Sequence, residues 1–456
     1  MYKKILIASL ALIAGLASCK KDDSTPSPNP PSTLTIDGVA STLEFYQLDT
    51  AHLSVAGVAK DAAAKAVWAV NAAKAAEGAT FDFTTAHPGK YEVTLTVDGK
   101  SAKQTYTVAP RFSEGAFLLN EGNFGNETGS LTYIHPSKKL VIDQAYYRVN
   151  GTKLGNVCQD LAFGNDQIYI LSQLGPKNGG EGLLTIARSN SLEKVKVYND
   201  EALAQSTPTH IAVLRDHIYI RTERDGILRG SSEGGFTPIT GTKKALKQRM
   251  AQIGERLFAL TSDSKVLMIQ GTQVVRELDL SPAKPSGIAV SHDGKLWVST
   301  TSPNAILKVD PTPDNFVALD THILDKSISA TGPESWQRTT SSAFFAHGDK
   351  LYFTGQSSVI YCHDFATSKT SQVIDVKTID GVGTSANMYY NSLGVDPSTG
   401  ELYYAAFEGY STYNKKNVTM VLKADGTKLL LKEKVNSFPA GFYFIPNAAS
   451  RTGANR

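Results

Sequence analysis

Cysteine is scarce in this chain: three in 456 residues, one of them, Cys19, inside the N-terminal segment. Cys158 and Cys362 are far apart and lack C-x-x-C spacing, which excludes a zinc knuckle or a disulfide scaffold and predicts buried thiols. Charge of one sign is also missing, the formal net charge being +3, so nucleic acid is not an expected partner. After residue 17 no apolar run is long enough to cross a bilayer. No H-E-x-x-H, G-x-S-x-G, P-loop or EF-hand pattern occurs, and His292, His347 and His363 fall in or beside short turns. The expectation is a non-enzyme without catalytic residues, resident metal or cofactor.

The 41% hydrophobic and 20% charged fractions are those of a folded body. Nineteen Tyr and 37 Gly favour strands and turns. At the N-terminus, Lys3-Lys4 precede an apolar run over 5–17, the size of a signal-peptide core. Leu16-Ala17-Ser18-Cys19 resembles a lipobox, which implies a signal peptide at 1–18 and lipidation of Cys19; the alternative is an ordinary signal peptide with a chance cysteine. Residues 19–32 are a tether, because a Pro/Ser-rich stretch has little to bury. Within it, Lys20-Lys21-Asp22-Asp23 resembles the surface-export signal of Bacteroidetes lipoproteins. That resemblance implies an outer-membrane protein facing the exterior and touching the membrane only through its lipid.

Residues 33–110 read as a small β domain. Its clearest part is the alternating run Tyr91-Glu92-Val93-Thr94-Leu95-Thr96-Val97, turned by Asp98-Gly99 into a second strand. Pro-Gly-x-Tyr-x-Val-x-Leu-x-Val (Pro88 to Val97) resembles the closing hairpin of Ig-like and PKD-type sandwiches, with Trp68 as core and a spacing role expected. The alanine-rich stretch 59–78 is read as β, with a short helix as its alternative.

From residue 161 onward a short apolar strand, a polar turn and a strand carrying Tyr, Trp or Phe recur six times. Examples are Leu161-Ala162-Phe163 with Gln167-Ile168-Tyr169-Ile170, and Gly287-Ile288-Ala289-Val290 with Lys295-Leu296-Trp297-Val298. Intervals of roughly 35 to 55 residues suit propeller blades. A seventh inner strand, Gly441-Phe442-Tyr443-Phe444-Ile445, stands alone, while residues 115–147 supply three strands that lack an inner one. The fold class expected is therefore all-β: a seven-bladed β-propeller over 111–447, closed by N- and C-terminal strands sharing one blade. An Ig-like sandwich precedes it and a polar tail, 448–456, follows. A non-closing β-solenoid is the structural alternative.

Propeller loops alternate between two mouths. One collects long segments rich in amides and aromatics, chemistry suited to a bulky polar ligand. The candidate ligand-binding residues are Asn120, Asn123, Phe124, Gln159, Asp160, His210, Arg249, Trp336, Gln337, Arg338, Tyr389, Tyr390, Asn391 and Tyr410. The other mouth carries short hairpins and reads as turn chemistry. Asp160, Glu223 and His210 could also meet at a mouth, where oxygen ligands from carboxylates and amides suit calcium, the metal-dependent hydrolase or lactonase alternative.

Phe117-Leu118-Leu119-Asn120-Glu121-Gly122-Asn123-Phe124-Gly125, then Gly129-Ser130-Leu131-Thr132-Tyr133 and Asn150-Gly151-Thr152-Lys153-Leu154-Gly155-Asn156-Val157, resemble the YncE-like, BtuG-type surface propellers of Bacteroidetes. The resemblance implies capture of a small nutrient, a cobalamin-like corrinoid first, and its delivery to a TonB-dependent outer-membrane transporter. Siderophore binding and a structural or adhesive role are the remaining alternatives. The later blades lack clean copies of that family's Tyr-Val-Thr-Asn type repeat, and the Ig-like domain is not expected of the cobalamin binders.

Overall fold

The computed structural model describes residues 33–40, 43–328, 343–355, 357–387 and 393–446. The chain forms two compact units: a small one containing Ala51–Asp82 and Glu92–Thr105, and a large one containing Phe83–Tyr91 and everything from Tyr106. Among the described residues no helix is long and apolar enough to cross a membrane.

The N-terminal strands make a three-stranded and a five-stranded sheet. Trp68 is fully buried, and its indole N–H donates to the Gly78 carbonyl at 2.9 Å. The alanine-rich stretch divides. One helical turn, Lys60–Ala63, gives way to strands Val67–Val70 and Ala73–Glu77. Asn71 and Ala72 between them both take positive φ, the geometry of a two-residue hairpin turn that ends any continuing helix.

The large unit is a β-propeller. Seven four-stranded antiparallel sheets follow one another among its described residues. Six are continuous in sequence, over 156–198, 208–238, 251–279, 285–323, 344–375 and 393–433. The first is composite: Ala116–Asn120, Ser130–His135 and Leu140–Ile142 take their inner strand, Pro439–Phe444, from the far end of the chain. Sharing one sheet between the two ends removes a pair of open edges.

Each successive pair of sheets buries one apolar layer, and the last layer returns to the first sheet. The layer formed by Tyr403 and Val421 of the seventh sheet holds Ala116, Leu118 and Phe442 of the first. The second strand of each sheet places a large ring at one register position: Phe117, Tyr169, Tyr219, Phe258, Trp297, Tyr352 and Tyr403. Opposite them on the inner strands stand Ala162, Ala212, Ala251, Ala289 and Gly394, with Phe345 and Tyr443 as exceptions. Inner strands converge on the axis, so the large partner belongs on the strand farther out. This is close packing, where a methyl group's volume counts.

Candidate functional site

Two residues before six of those seven inner positions lie Asp160, His210, Arg249, Gly287, Ala343 and Gly441. Several inner strands are bulged just upstream, between Cys158 and Asp160, Pro208 and His210, Pro285 and Gly287, and Pro439 and Gly441. A bulge re-aims the side chains that flank it. On the second, third and fourth sheets these positions carry the polar side chains Asp160, His210 and Arg249, and elsewhere they are Gly or Ala.

Arg249 dominates these positions. Its Nε lies 3.4 Å from Asp160 Oδ1, its guanidinium lies 4.2 Å above the Tyr443 ring, and Nη1 and Nη2 reach the Phe442 and Ala440 carbonyls at 3.5 Å. Space for it exists because residue 441 is glycine: a Cβ there would overlap Arg249 Nη2, and φ is +146°. Asp160 also accepts the Tyr443 hydroxyl at 2.6 Å and the Ile211 N–H at 2.9 Å. Burial raises the Asp160 pKa and drives that of Tyr443 well up, with Arg249 opposing both shifts. One ion pair thus joins the first, second and fourth sheets.

The other buried candidates are held in the same way. Gln159 donates to Glu121 Oε1 at 2.8 Å, while its own Oε1 has no partner among the described residues. His210 is fully buried, with Nδ1 3.1 Å from Thr209 Oγ1. Thr209 Oγ1 also accepts from Arg221, whose pKa burial lowers to about 10 while leaving it charged at neutral pH. Asn120 receives the Ser437 N–H at 3.1 Å and donates to Ser130 and Thr132. Glu223 is exposed and 3.9 Å from Lys247, and the described residues hold no cluster of three His, Cys, Asp or Glu suited to a metal. Cys158 is buried and Cys362 half-buried, both with raised pKa from burial.

Nearer the surface, the loop over 120–129 is compact. Glu127 accepts the Tyr413 hydroxyl at 2.6 Å and the Ser437 hydroxyl at 3.2 Å, tying the loop to the seventh sheet and the chain's return. Asn123 folds inward, its carbonyl receiving the Asn126 and Glu127 amides. Phe124 projects at the tip, 69% exposed. Tyr410 is 44% exposed and stacks on Phe438 at 5.6 Å. Trp336, Gln337, Arg338, Tyr389, Tyr390, Asn391 and Cys19 lie outside the described residues.

Sequence reasoning missed the pocket beside this loop, about 400 Å³, walled by Asn120, Asn417, Asn436, Lys434 and the half-exposed Tyr147. Asn417 fixes the wall by donating to the Tyr413 carbonyl at 2.7 Å and accepting the Val435 N–H at 3.1 Å. Asn436 donates to Val418 and Thr419, but its buried Oδ1 has no partner among the described residues. A buried acceptor left unmet costs about 1–3 kcal/mol. The sequence signal was present in the asparagines at 414, 417 and 436, yet nothing in it showed that two distant loops converge.

Solved structures similar to this one share its fold at low identity. A quinonprotein alcohol dehydrogenase-like protein from Bacteroides thetaiotaomicron is 15% identical with a TM-score of 0.58, covering 91% of this chain and 97% of that one. A Lactobacillus plantarum protein is 13% identical with a TM-score of 0.48, over 73% of this chain and 99% of the other. An inactive virginiamycin B lyase variant from Staphylococcus aureus is 11% identical with a TM-score of 0.41, over 61% and 83%. At these identities the likeness is one of fold. No curated protein matches the sequence significantly. Residues 114–446, the propeller from its first strand to its last, match one family throughout, and the chain belongs to that family, described as a domain of unknown function, DUF5074.

Proposed function

We propose that the chain is a surface lipoprotein, anchored through Cys19, whose seven-bladed propeller captures a small nutrient at the loop-rich mouth and passes it to a TonB-dependent transporter. The small N-terminal unit is read as an Ig-like spacer. The observation that carries the binding reading is the amide-walled pocket of about 400 Å³, with Phe124, Tyr147 and Tyr410 exposed on neighbouring segments. Fixed amides supply hydrogen bonds and exposed rings supply rigid apolar area, the combination that binds a large, amide-bearing molecule. A corrinoid has that character and is the ligand the sequence resemblance favours. No bond chemistry is involved: Asp160, the best-placed buried acid, is committed to Arg249 and Tyr443.

Calorimetric titration with cyanocobalamin tests the reading. The wild type should bind, and a Tyr147→Ala/Tyr410→Ala variant should bind at least about tenfold more weakly, the loss typical of a contact worth more than 1 kcal/mol. Equal binding by the variant removes the site. Binding of a ferric siderophore in place of cyanocobalamin keeps the mouth and changes the ligand.

A further inference from the structure

We propose that the opposite, hairpin-bearing mouth carries a second ligand site, a cleft that binds the carboxylate of a small polar molecule on Arg229. The cleft measures about 1130 Å³, larger than the amide pocket, and opens where the inner strands of the second, third and fourth sheets end. Short turns leave it uncovered. On the third sheet, Arg229 stands opposite Tyr219 in register, and Tyr219 packs into the layer shared with the fourth sheet. The guanidinium therefore lies between two sheets, at the cleft wall. Gln252 and Gln270 of the fourth sheet line the same space.

What marks Arg229 is its lack of a counter-charge. Its Nε is buried without a hydrogen-bond partner, and no ion pair forms on it among the described residues. Arg215 at the rim is instead satisfied by Glu255 of the neighbouring hairpin. The half-exposed guanidinium presents a planar fork of donors that matches a carboxylate bidentately. The acid groups lining the cleft, Asp166, Asp216 and Glu255, would repel a second anionic group there. The order of charge, base within and acid outside, selects a molecule with one carboxylate held inward and hydroxyl or amide groups outward. The two glutamine amides provide donors and acceptors for those groups. The volume accommodates a ligand of two or three sugar or amino-acid units.

Titration of the full chain with D-galacturonate and with triglycine tests this, using D-galactose and triglycinamide as controls that lack the carboxylate. At least one acid should bind, and its carboxylate-free counterpart about tenfold or more weakly, because the charge-assisted fork is lost. Arg229→Leu should abolish that binding. Arg229→Lys should retain part of it, keeping the charge but not the fork. Arg229→Gln serves as the uncharged variant if the leucine form does not fold. Tyr147→Ala/Tyr410→Ala should leave this binding unchanged, which separates the two mouths. Which acid binds identifies a uronic-acid or a peptide-terminus source. Binding by neither acid, equal binding of acid and carboxylate-free control, or wild-type binding by the uncharged variants overturns the proposal.

Discussion

The two mouths of the propeller differ in a way that loop length alone misrepresents. The loop-rich mouth has the longer, more varied segments, yet beneath it the channel is crossed by Arg249, Asp160 and Tyr443, and its pocket is about 400 Å³. The hairpin mouth, made of turns such as Arg215-Asp216, opens on a cleft of about 1130 Å³. Long loops fold over and fill the space they surround; short ones leave it open. A rich loop inventory therefore locates chemistry without locating volume.

The sharpest way to break this comparison is to remove the plug. Arg249→Leu leaves the buried Asp160 with only Tyr443 and the backbone N–H groups of Leu161 and Ile211, and removing the partner of a buried charge costs about 3–5 kcal/mol. A shift of that size in the urea midpoint is expected, with partial recovery in Asp160→Asn/Arg249→Leu. No shift would mean that the channel beneath the loop-rich mouth is not closed by this pair. Gly441→Ala comes next, at about 1–3 kcal/mol for forcing a methyl group into filled space. Its Cβ meets Arg249 itself, so in the Arg249→Leu background the cost should shrink. Strict additivity would show that the glycine serves the strand alone.

These residues also show what the sequence could disclose. The composite sheet was legible because strand count is arithmetic: three strands without an inner one, and one inner strand without partners. The second-strand rings were legible for the same reason, since a register repeat writes itself into spacing. Asp160, His210 and Arg249 were chosen as residues of one mouth, and the structure sets all three at equivalent positions. The place of the Arg249 guanidinium was not readable, because it depends on Gly441, nearly 200 positions away, leaving room for a side chain. Asn436 and the hairpin cleft were missed for a related reason: each arises where segments distant in sequence converge. The N-terminal helix–strand ambiguity was settled by two positive φ values that alanine and asparagine do not announce.

A third test addresses the wall that both mouths share. Between the fifth and sixth sheets, His322 Nδ1 lies 2.8 Å from His363 Nε2, and the His322 ring stacks on Phe365 at 3.7 Å. Burial, then the neighbouring His322, lowers the His363 pKa below its ordinary 6.5. The folded state thus holds fewer protons than the unfolded chain there. The stability this contributes is complete above pH 6.5 and is lost as pH falls through the lowered folded value. Denaturation midpoints should therefore drop on acidification below pH 6.5, and His363→Gln should flatten the slope. Buried His135, lowered in the same direction, leaves a residual slope. An unchanged profile in the variant would remove the His pair from the account.

The smallest effect on stability is the most discriminating for function. Phe124 is 69% exposed at the tip of a loop whose fold rests on Glu127, Asn123 and Tyr413. Replacing it with Ser removes none of those bonds, so stability should move by no more than about 0.5 kcal/mol, as for surface positions generally. If the loop-rich mouth is the capture surface, the same change should weaken cyanocobalamin binding while leaving galacturonate or triglycine binding at the hairpin mouth untouched. A large loss of stability would instead make Phe124 a packing residue and return the mouth's aromatics to structure. A loss at both mouths would show that they communicate.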